Sequence, residues 1–428
     1  MRFGNFAYKY LKTVLQSKTL KDSSLTSVAT LINGALGAFF YIYLARMLGP
    51  SDFGIFSVAI VTLTLVADIT DFGTNSGIVN FVSKYVKVDS NKAYQFLKLA
   101  LKIKIIVSIF VIVIGNFLAS YLARSVFFKP ELEFPLRLVF LGVAATHLFT
   151  FAICALQSYQ KFLSWSFLQI FTNGLRLLSI FLASYLWSLN VVNSILIYLI
   201  YPFIGFLLVF VFIPNSFIKV KNENKRFGEF FAYNKWIASF AIIAALNSRL
   251  DTFITARLLD SMQVGIYSAA NQLVQVVPQI VGAIGAVLAP KIAACKNKKD
   301  LTSYLKKVQV MVLGIAFLGL VSIPVAIYFI PVLFGSEYLP SINVFIILMI
   351  SMLIFLVAVP IHQTVFYFFQ YPKLFSWIAI VNLLINAILG WFMISSYGVV
   401  GGALTVLVVQ CISFIIPAWW VLCKLKEK

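Results

Sequence analysis

The sequence has few charged residues, and acidic residues are especially scarce. Asp and Glu together number 14 in 428 residues, histidine occurs twice, cysteine four times, and charged residues make up 11% of the chain. A soluble protein of ordinary composition is about one quarter charged. So few polar groups cannot cover the surface of a water-soluble fold. The composition therefore excludes a cytosolic enzyme, a secreted disulfide scaffold and a disordered regulator.

Motifs for metal and cofactor chemistry are also absent from the sequence. The cysteines, Cys154, Cys295, Cys411 and Cys423, lie far apart and form no metal-spaced pair. The chain has no Gly-rich phosphate-binding motif, and no connecting segment exceeds about 25 residues, too short for a catalytic domain. We therefore expect a protein that is not an enzyme and that holds neither a metal nor a cofactor.

Apolar segments dominate the chain. Hydrophobic residues make up 61% of the sequence, and the mean hydropathy is +0.96. A transmembrane helix needs about 20 apolar residues. The sequence predicts an all-α integral membrane protein with twelve transmembrane helices. These spans are 23–46, 53–72, 99–123, 136–157, 163–187, 191–213, 236–257, 264–290, 308–331, 341–369, 374–396 and 399–423.

Basic residues lie on one side of the predicted spans. With the N-terminus inside, 27 of the 34 Lys and Arg residues fall on the cytoplasmic side, five on the outer side and two within spans. This bias predicts a cell-membrane protein with both termini in the cytoplasm. Residues 1–22 are basic and predict an amphipathic helix on the membrane surface. Because the charge is spread over short inner loops, the net charge of +20 does not indicate nucleic-acid binding.

Two stretches repeat at an offset of 211 residues. Residues 45–59 (ARMLGPSDFGIFSVA) and 256–270 (ARLLDSMQVGIYSAA) are identical at seven of fifteen positions, and each joins two predicted spans on the outer side. Six spans separate the copies, so they have the same orientation. This predicts two pseudo-symmetric six-helix bundles, typical of a transporter that works by alternating access. The predicted division is 23–213 for the N-terminal half, 214–235 for a basic cytoplasmic linker and 236–428 for the C-terminal half.

The fifth predicted span carries a polar stripe around one arginine. An arginine at the bilayer centre costs about 2.5–3.5 kcal/mol by insertion scales, so it needs a partner or water. The spacings of four and three residues place the polar side chains on one helix face. They are Gln169, Asn173, Arg176 and Ser179. Two interpretations remain open: a substrate-binding face along a hydrated lumen, or a hydrogen-bonded seam between helices.

Further polar groups lie in other spans. Arg249 and Asp251 are two residues apart and point to opposite sides of their helix, so one is expected in the lumen and the other against a neighbouring helix. The amides of the next span, and one in the first, are candidates for binding a hydroxyl-rich substrate or for bonding between helices. They are Asn271, Gln272, Gln275 and Asn33.

Three titratable residues are candidate coupling groups for H⁺ or Na⁺. They are Asp251, His147 and His362, although a single buried histidine is commonly only hydrogen-bonded. Asp71, at the inner end of the second span, is expected to be solvated or paired with Lys84 and its neighbours.

Five motifs, in this order, resemble the polysaccharide-export family of the multidrug/oligosaccharidyl-lipid/polysaccharide superfamily, which has a MATE-like fold. The motifs are LGPSDFGIFS (48–57), RLDTFITARLL (249–259), VGIYSAA (264–270), LFGSEY (333–338) and SSYGVVGGA (395–403).

The resemblance implies a flippase that moves a polyprenyl-diphosphate-linked oligosaccharide from the inner to the outer leaflet, for O-antigen or other surface polysaccharide. It further implies a cationic cavity, a role that falls to Arg176 and Arg249. Membrane lipid and polysaccharide polymerase or assembly proteins are the implied partners. The alternative is a MATE-type multidrug or cation antiporter, which would need unpaired acids in its lumen.

Overall fold

The computed structural model describes residues 18–221 and 224–427, and this part of the chain is helical without β-strands. Short π- or 3₁₀-helical turns lie at Leu122–Val126, Pro130–Leu132, Asn215–Ile218 and Ser336–Tyr338. The α-helices are α1 (Lys18–Thr70), α2 (Thr74–Tyr85), α3 (Ser90–Tyr121), α4 (Glu133–Ser158), α5 (Phe162–Leu186), α6 (Val191–Phe212), α7 (Asn224–Leu258), α8 (Ser261–Val274), α9 (Val276–Ala293), α10 (Lys298–Phe334), α11 (Ser341–Tyr367) and α12 (Lys373–Lys426).

The described chain contains ten helical segments long and apolar enough to cross a membrane. Two of them, within α1 and α12, are too long for a single crossing: 53 residues of helix extend about 80 Å, against a hydrocarbon core of about 30 Å. Each contains a sharp break, at Gly49 (φ 70°) in α1 and at Gly398 (φ 60°) in α12. The positive φ favours glycine, and Pro50 then starts the next helix. Each broken helix is long enough for two spans, so the ten segments of the described chain correspond to the twelve predicted spans.

Large apolar side chains cover much of the outer surface. Phe117, Val211 and Trp236 are 82%, 77% and 74% exposed. A soluble monomer rarely leaves such extensive apolar surface in water, whereas lipid solvates it without penalty. The protein is a multi-pass membrane protein.

The helices form two compact units. The first unit comprises the described chain up to Phe40, together with Thr62–Ser120 and Phe134–Ala241. Its core includes Phe96, Phe151 and Phe206. The second comprises Tyr41–Val61, Tyr121–Glu133 and the chain from Ile242 onward. Its core includes Tyr267, Val312 and Leu348. The second unit therefore contains two segments from the N-terminal half of the sequence. The assignment of residues 214–235 as a linker between two halves of the sequence stays a prediction.

Two predicted segments fall partly outside the described residues. The amphipathic helix at 1–22 is described only from Lys18, where α1 begins. Within the predicted linker, residues 222–223 lie outside the described part, and α7 already begins at Asn224. The span predicted from 236 is therefore the apolar part of a longer helix.

The short helix α2 was not predicted from the sequence. It starts after Phe72 and Gly73, both of which have positive φ, and its buried face includes Gly77, Ile78 and Val82. A Cβ atom on Gly77 would lie 2.6 Å from the Phe230 ring, so the helix packs closely against α7. Its 12 residues are too few to cross a bilayer, which is why a search for long apolar runs passes over it.

The two repeated stretches contact each other within the second unit. A Cβ atom on Gly54 would overlap the carbonyl oxygen of Ser261, and a Cβ atom on Gly265 would overlap that of Pro50. Gly54 corresponds to Gly265, and Pro50 to Ser261, at the offset of 211. The contact is therefore reciprocal, as expected for a local two-fold axis. This arrangement gives the sequence repeat a structural basis.

A buried lysine closes the turn before α4. Lys129 is 6% exposed, and its Nζ donates to the carbonyl oxygens of Ala256 and Leu259, at 2.5 and 2.6 Å. Ala256 lies in the last turn of α7 and Leu259 directly follows that helix, where carbonyl groups lack partners within the helix. Burial lowers the pKa of Lys129 below its ordinary value. The sequence analysis counts Lys129 among the few basic residues on the outer side and predicts no structural role for it.

Candidate functional site

Arg176 lies in the middle of α5 and is half-buried. Its guanidinium carbon lies 4.0 Å from the centre of the Tyr198 ring and 5.9 Å from that of Phe40. Such a cation–π contact stabilises the charge without neutralising it. The Nε atom is buried without a hydrogen-bond partner, and in the described part of the chain Arg176 forms no salt bridge. The charge is therefore held in place and available to an anion.

The other members of the α5 stripe have different environments. Asn173 donates its side-chain amide to Oδ1 of Asn33 in α1, and Ser179 is hydrogen-bonded to the Tyr201 hydroxyl in α6. These two pairs form a seam between helices, which was the second interpretation of the stripe. Gln169 is half-buried. The stripe thus combines a helix-packing seam with an arginine that lacks an anionic partner.

In α7, Asp251 and Arg249 occupy different environments. Asp251 is 9% exposed, and the hydroxyl of Tyr267 in α8 donates to its Oδ2 at 2.5 Å. Arg249 is half-buried, its Nε is buried without a partner, and it forms no salt bridge among the described residues. The sequence predicts that one of the two residues has a partner on a neighbouring helix. In the structure Asp251 has such a partner. Arg249 stays the candidate for binding substrate.

Replacing Tyr267 with phenylalanine is expected to lower the free energy of unfolding by about 1–3 kcal/mol, because the buried Asp251 carboxyl group loses its donor. Tyr267 is fully buried, and phenylalanine preserves its packing. The measurement is thermal unfolding in detergent, followed by tryptophan fluorescence. Tyr338→Phe is the matched control, because it removes a hydroxyl that donates to a neutral carbonyl, that of Ala45, at 2.9 Å. If Tyr267→Phe lowers the unfolding temperature no more than Tyr338→Phe does, the Tyr267 hydroxyl has no special role in stabilising Asp251.

The amides on α8 and at its C-terminal end do not bond to other helices in the described structure. Asn271 and Gln272 are half-buried and Gln275 is exposed. Gln275 donates to Oδ1 of Asn271 at 3.3 Å, a contact one turn apart along the chain. Exposed amides within a membrane span are costly in lipid, so this face requires water or a polar ligand. The helix also breaks here, between Val274 and Val276, because Pro278 has no N–H to donate to the preceding turn.

His147 is buried and His362 is half-buried, each within its own unit. His147 is 2% exposed, its Nδ1 lies 3.2 Å from the Ser108 hydroxyl, and its Nε2 lies 3.2 Å from the Ala67 carbonyl oxygen. Nε2 of His362 lies 2.9 Å from the carbonyl oxygen of Ser413. The imidazoles therefore join neighbouring helices through hydrogen bonds, and their role in ion coupling stays a prediction.

A buried ion pair lies beside His147. Nζ of Lys104 is 2.7 Å from Oδ1 of Asp71 and 3.3 Å from the Thr150 hydroxyl, and Lys104 is 1% exposed. Asp71 also accepts a hydrogen bond from the Thr74 hydroxyl at 2.8 Å. The expected pairing of Asp71 with Lys84, or its solvation, is therefore wrong. Lys104 lies in α3 and Asp71 in the turn that directly follows α1, and their distance along the chain does not reveal that the two side chains meet.

Comparison with known proteins identifies the family. A sequence model described as "Polysaccharide biosynthesis protein" matches residues 19–296, well over half of the chain. The chain belongs to this family. The match confirms the resemblance found in the sequence motifs.

Individual proteins of known fold or assignment agree with this placement. A Shigella flexneri protein assigned as an O-antigen transporter is 21% identical over 384 residues, covering 85% of this chain and 88% of the relative. The lipid II flippase MurJ, in an inward closed conformation, superposes with a TM-score of 0.73 at 17% identity, over 93% of this chain and 87% of MurJ. An inward-facing multidrug-resistance MATE transporter also gives a TM-score of 0.73, at 11% identity, over 92% of this chain and 94% of the MATE transporter. This polysaccharide biosynthesis protein therefore has the all-α fold of the MATE-like transporters, as predicted.

Proposed function

We propose that this protein is a flippase for a polyprenyl-diphosphate-linked oligosaccharide, which it moves from the inner to the outer leaflet by alternating access during surface polysaccharide synthesis. It acts as a transporter and catalyses no covalent step. Membership of the polysaccharide biosynthesis family supports the pathway. The all-α multi-span fold supports the mode of action.

The observation that carries the proposal is the state of Arg176. A half-buried guanidinium in a membrane span has no carboxylate partner in the described structure, and an aromatic ring lies 4.0 Å from it. An uncompensated charge at that depth is unfavourable unless a ligand or water neutralises it. The diphosphate of the cargo is such a ligand, because guanidinium binds phosphate oxygens through paired N–H donors.

The amides on α8 suit the rest of the head group. Asn271, Gln272 and Gln275 offer both donors and acceptors, which match the hydroxyl groups of a sugar chain. Free passage of such a head group through hydrocarbon is prohibitive because each polar group would lose its hydration. The protein's polar groups replace that water, and the polyprenyl tail stays in the bilayer.

The alternative, a MATE-type export of cationic drugs, receives less support. A cation exporter needs an accessible acid in its spans. Asp251 is 9% exposed and accepts a hydrogen bond from Tyr267, and Asp71 is paired with Lys104. Arg176 and Arg249 lie within spans and form no salt bridge with any described residue, which favours an anionic cargo.

Replacing Arg176 with glutamine is expected to reduce transport at least about tenfold, since one charge-assisted bond to a phosphate contributes about 1.5–3 kcal/mol. The measurement uses proteoliposomes that contain fluorescent lipid-linked oligosaccharide, with exposure of the sugar to an external lectin as the readout. Arg176→Lys keeps the charge but not the paired donors, so it should restore only part of the activity.

The matched control is Arg124→Gln. Arg124 is 65% exposed and pairs with Glu133 at 3.0 Å in the turn between two spans, so its loss should leave transport unchanged. Transport by Arg176→Gln at the wild-type rate would overturn the proposal. Efflux of cationic drugs by the wild type, without movement of the lipid-linked sugar, would support the antiporter instead.

The proposal includes location and energy source. We place the protein in the cell membrane with both termini in the cytoplasm, as the distribution of basic residues predicts. Coupling to H⁺ or Na⁺ is assigned to Asp251, His147 and His362. A polysaccharide polymerase or other assembly protein is the expected partner.

A further inference from the structure

A cavity lies wholly within the first unit, apart from the residues described above. It has a volume of about 530 Å³ and is formed where the start of α2 meets the end of α4 and the N-terminal part of α7. Cavities that bind small molecules typically measure about 300–1,000 Å³. This cavity lies at the end of the spans that the sequence assigns to the cytoplasm, and neither Arg176 nor the α8 amides line it.

The lining combines hydrogen-bonding side chains with apolar surface and carries no charge. Its hydrogen-bonding side chains are Asn75, Ser76, Asn80, Gln157 and Tyr233. No acidic or basic residue is among the described residues that line it. A diphosphate would require cations. Amides and hydroxyls that both donate and accept instead match a neutral, hydroxyl-rich ligand.

One lining residue, Asn75, has a buried side-chain atom without a hydrogen-bond partner in the described structure. Oδ1 of Asn75 is buried and accepts no hydrogen bond in the described structure. The backbone N–H of the same residue donates to Oδ2 of Asp71 at 3.2 Å, which fixes the first turn of α2. Because buried polar atoms nearly always have partners, this oxygen is suited to a ligand hydroxyl.

Tyr233 provides an aromatic wall. Its ring packs edge-on against Phe81, with centroids 5.4 Å apart, and Phe81 stacks on Phe96 at 4.4 Å. These contacts fix the ring, while the residue stays 39% exposed. The electron-rich face of an aromatic ring attracts the C–H groups on one side of a pyranose. Amides beside such a ring form a combination suited to sugars.

We propose that this cavity binds an uncharged sugar residue of the cargo at the cytoplasmic end of the first unit, apart from the arginine that binds the diphosphate. The inference rests on the proposed function for the identity of the cargo. Separate positions for sugar and phosphate would let the protein select the glycan independently of the lipid carrier, which all such cargoes share.

The test uses a probe that contains only the sugar. Mild acid releases the oligosaccharide from the cell's own lipid-linked pool and leaves the phosphates on the lipid. Binding of this free oligosaccharide to the purified full-length protein is measured by saturation-transfer NMR titration. The double variant Asn80→Ala/Gln157→Ala removes two exposed amides, so the fold should be preserved. Its affinity is expected to fall at least about tenfold, as for the loss of two hydrogen bonds.

Two controls separate this cavity from other sites. Asn193→Ala removes an exposed amide from a different cavity of the same unit, lined by Trp187 and Leu196, and should bind the probe like the wild type. Arg176→Gln should also bind it normally, although it fails in transport. Equal binding by the double variant and the wild type, or no binding by the wild type, overturns the sugar cavity. Neither result affects the transport assay, so the proposed flippase function is judged separately.

Discussion

Replacing Lys104 with methionine is expected to lower the free energy of unfolding by about 3–5 kcal/mol, one of the largest effects for a single substitution in this protein. Lys104 is 1% exposed, and its Nζ lies 2.7 Å from Oδ1 of Asp71. Methionine preserves most of the side-chain volume but leaves the Asp71 carboxylate without its counter-charge. A buried charge without a partner is far more costly than the pair is favourable.

The same reasoning predicts a partial rescue. The double variant Lys104→Met/Asp71→Asn removes both charges, and such replacements of a buried pair are often close to neutral. The introduced asparagine keeps one carbonyl oxygen, which can still accept one of the two hydrogen bonds that Asp71 accepts, from the Thr74 hydroxyl or from the backbone N–H of Asn75. We therefore expect the double variant to be more stable than Lys104→Met alone.

Thermal unfolding in detergent, followed by tryptophan fluorescence, measures these differences. Lys102→Met is the matched control, because Lys102 lies on the same helix but is exposed, and its loss should change stability by less than about 0.5 kcal/mol. If Lys104→Met unfolds at the same temperature as Lys102→Met, the ion pair has no structural role. Additive losses in the double variant would likewise contradict the coupling between the two residues.

Gly265→Ala is expected to destabilise the second unit by about 3 kcal/mol, at the upper end of the range for overpacked positions. The new methyl group would overlap the backbone carbonyl of Pro50, and a backbone cannot move aside as a flexible side chain can. Gly54→Ala should cost a similar amount, because its methyl group would overlap the equivalent carbonyl, that of Ser261. The two effects follow from one reciprocal contact.

The control for these glycines is Gly314→Ala in α10. No atom lies within 4 Å of a Cβ placed on Gly314, so this substitution should stabilise the helix by about 0.5–1 kcal/mol. Unfolding temperature and the yield of folded protein are measured for all three variants. A large loss for one repeat glycine and none for the other would show that the contact is not symmetric.

Linear features of the sequence predicted most of the architecture. The twelve spans follow from runs of apolar residues, and the breaks at Gly49 and Gly398 fall between spans that the hydropathy already separates. The repeat is visible because both copies keep the glycine needed for close backbone contact, Gly54 and Gly265. Features missed by the sequence analysis are short or non-local. Helix α2 is too short for the span criterion, and Lys129 bonds to carbonyls about 130 residues away.

The candidate site shows the same division. Periodicity placed Gln169, Asn173, Arg176 and Ser179 on one face of α5, but it could not tell a packing seam from a binding surface. The structure distinguishes them: Asn173 and Ser179 form hydrogen bonds to neighbouring helices, whereas Arg176 only packs against aromatic rings there and forms no hydrogen bond with the described residues. Likewise, the sequence left open whether Arg249 or Asp251 has a partner on a neighbouring helix. In the structure Asp251 has one, because the Tyr267 hydroxyl donates a hydrogen bond to it.

The sequence alone determined that the chain crosses a membrane about a dozen times, as two related halves with arginines in the spans, because hydropathy and repetition are properties of neighbouring residues. The tertiary structure decided which buried polar groups neutralise one another. Lys104 meets Asp71, and Tyr267 meets Asp251, whereas Arg176 lies beside the rings of Tyr198 and Phe40 and has no acidic partner among the described residues. Hydrogen bonds and ion pairs act over about 3 Å in space, and separation along a chain does not fix that distance.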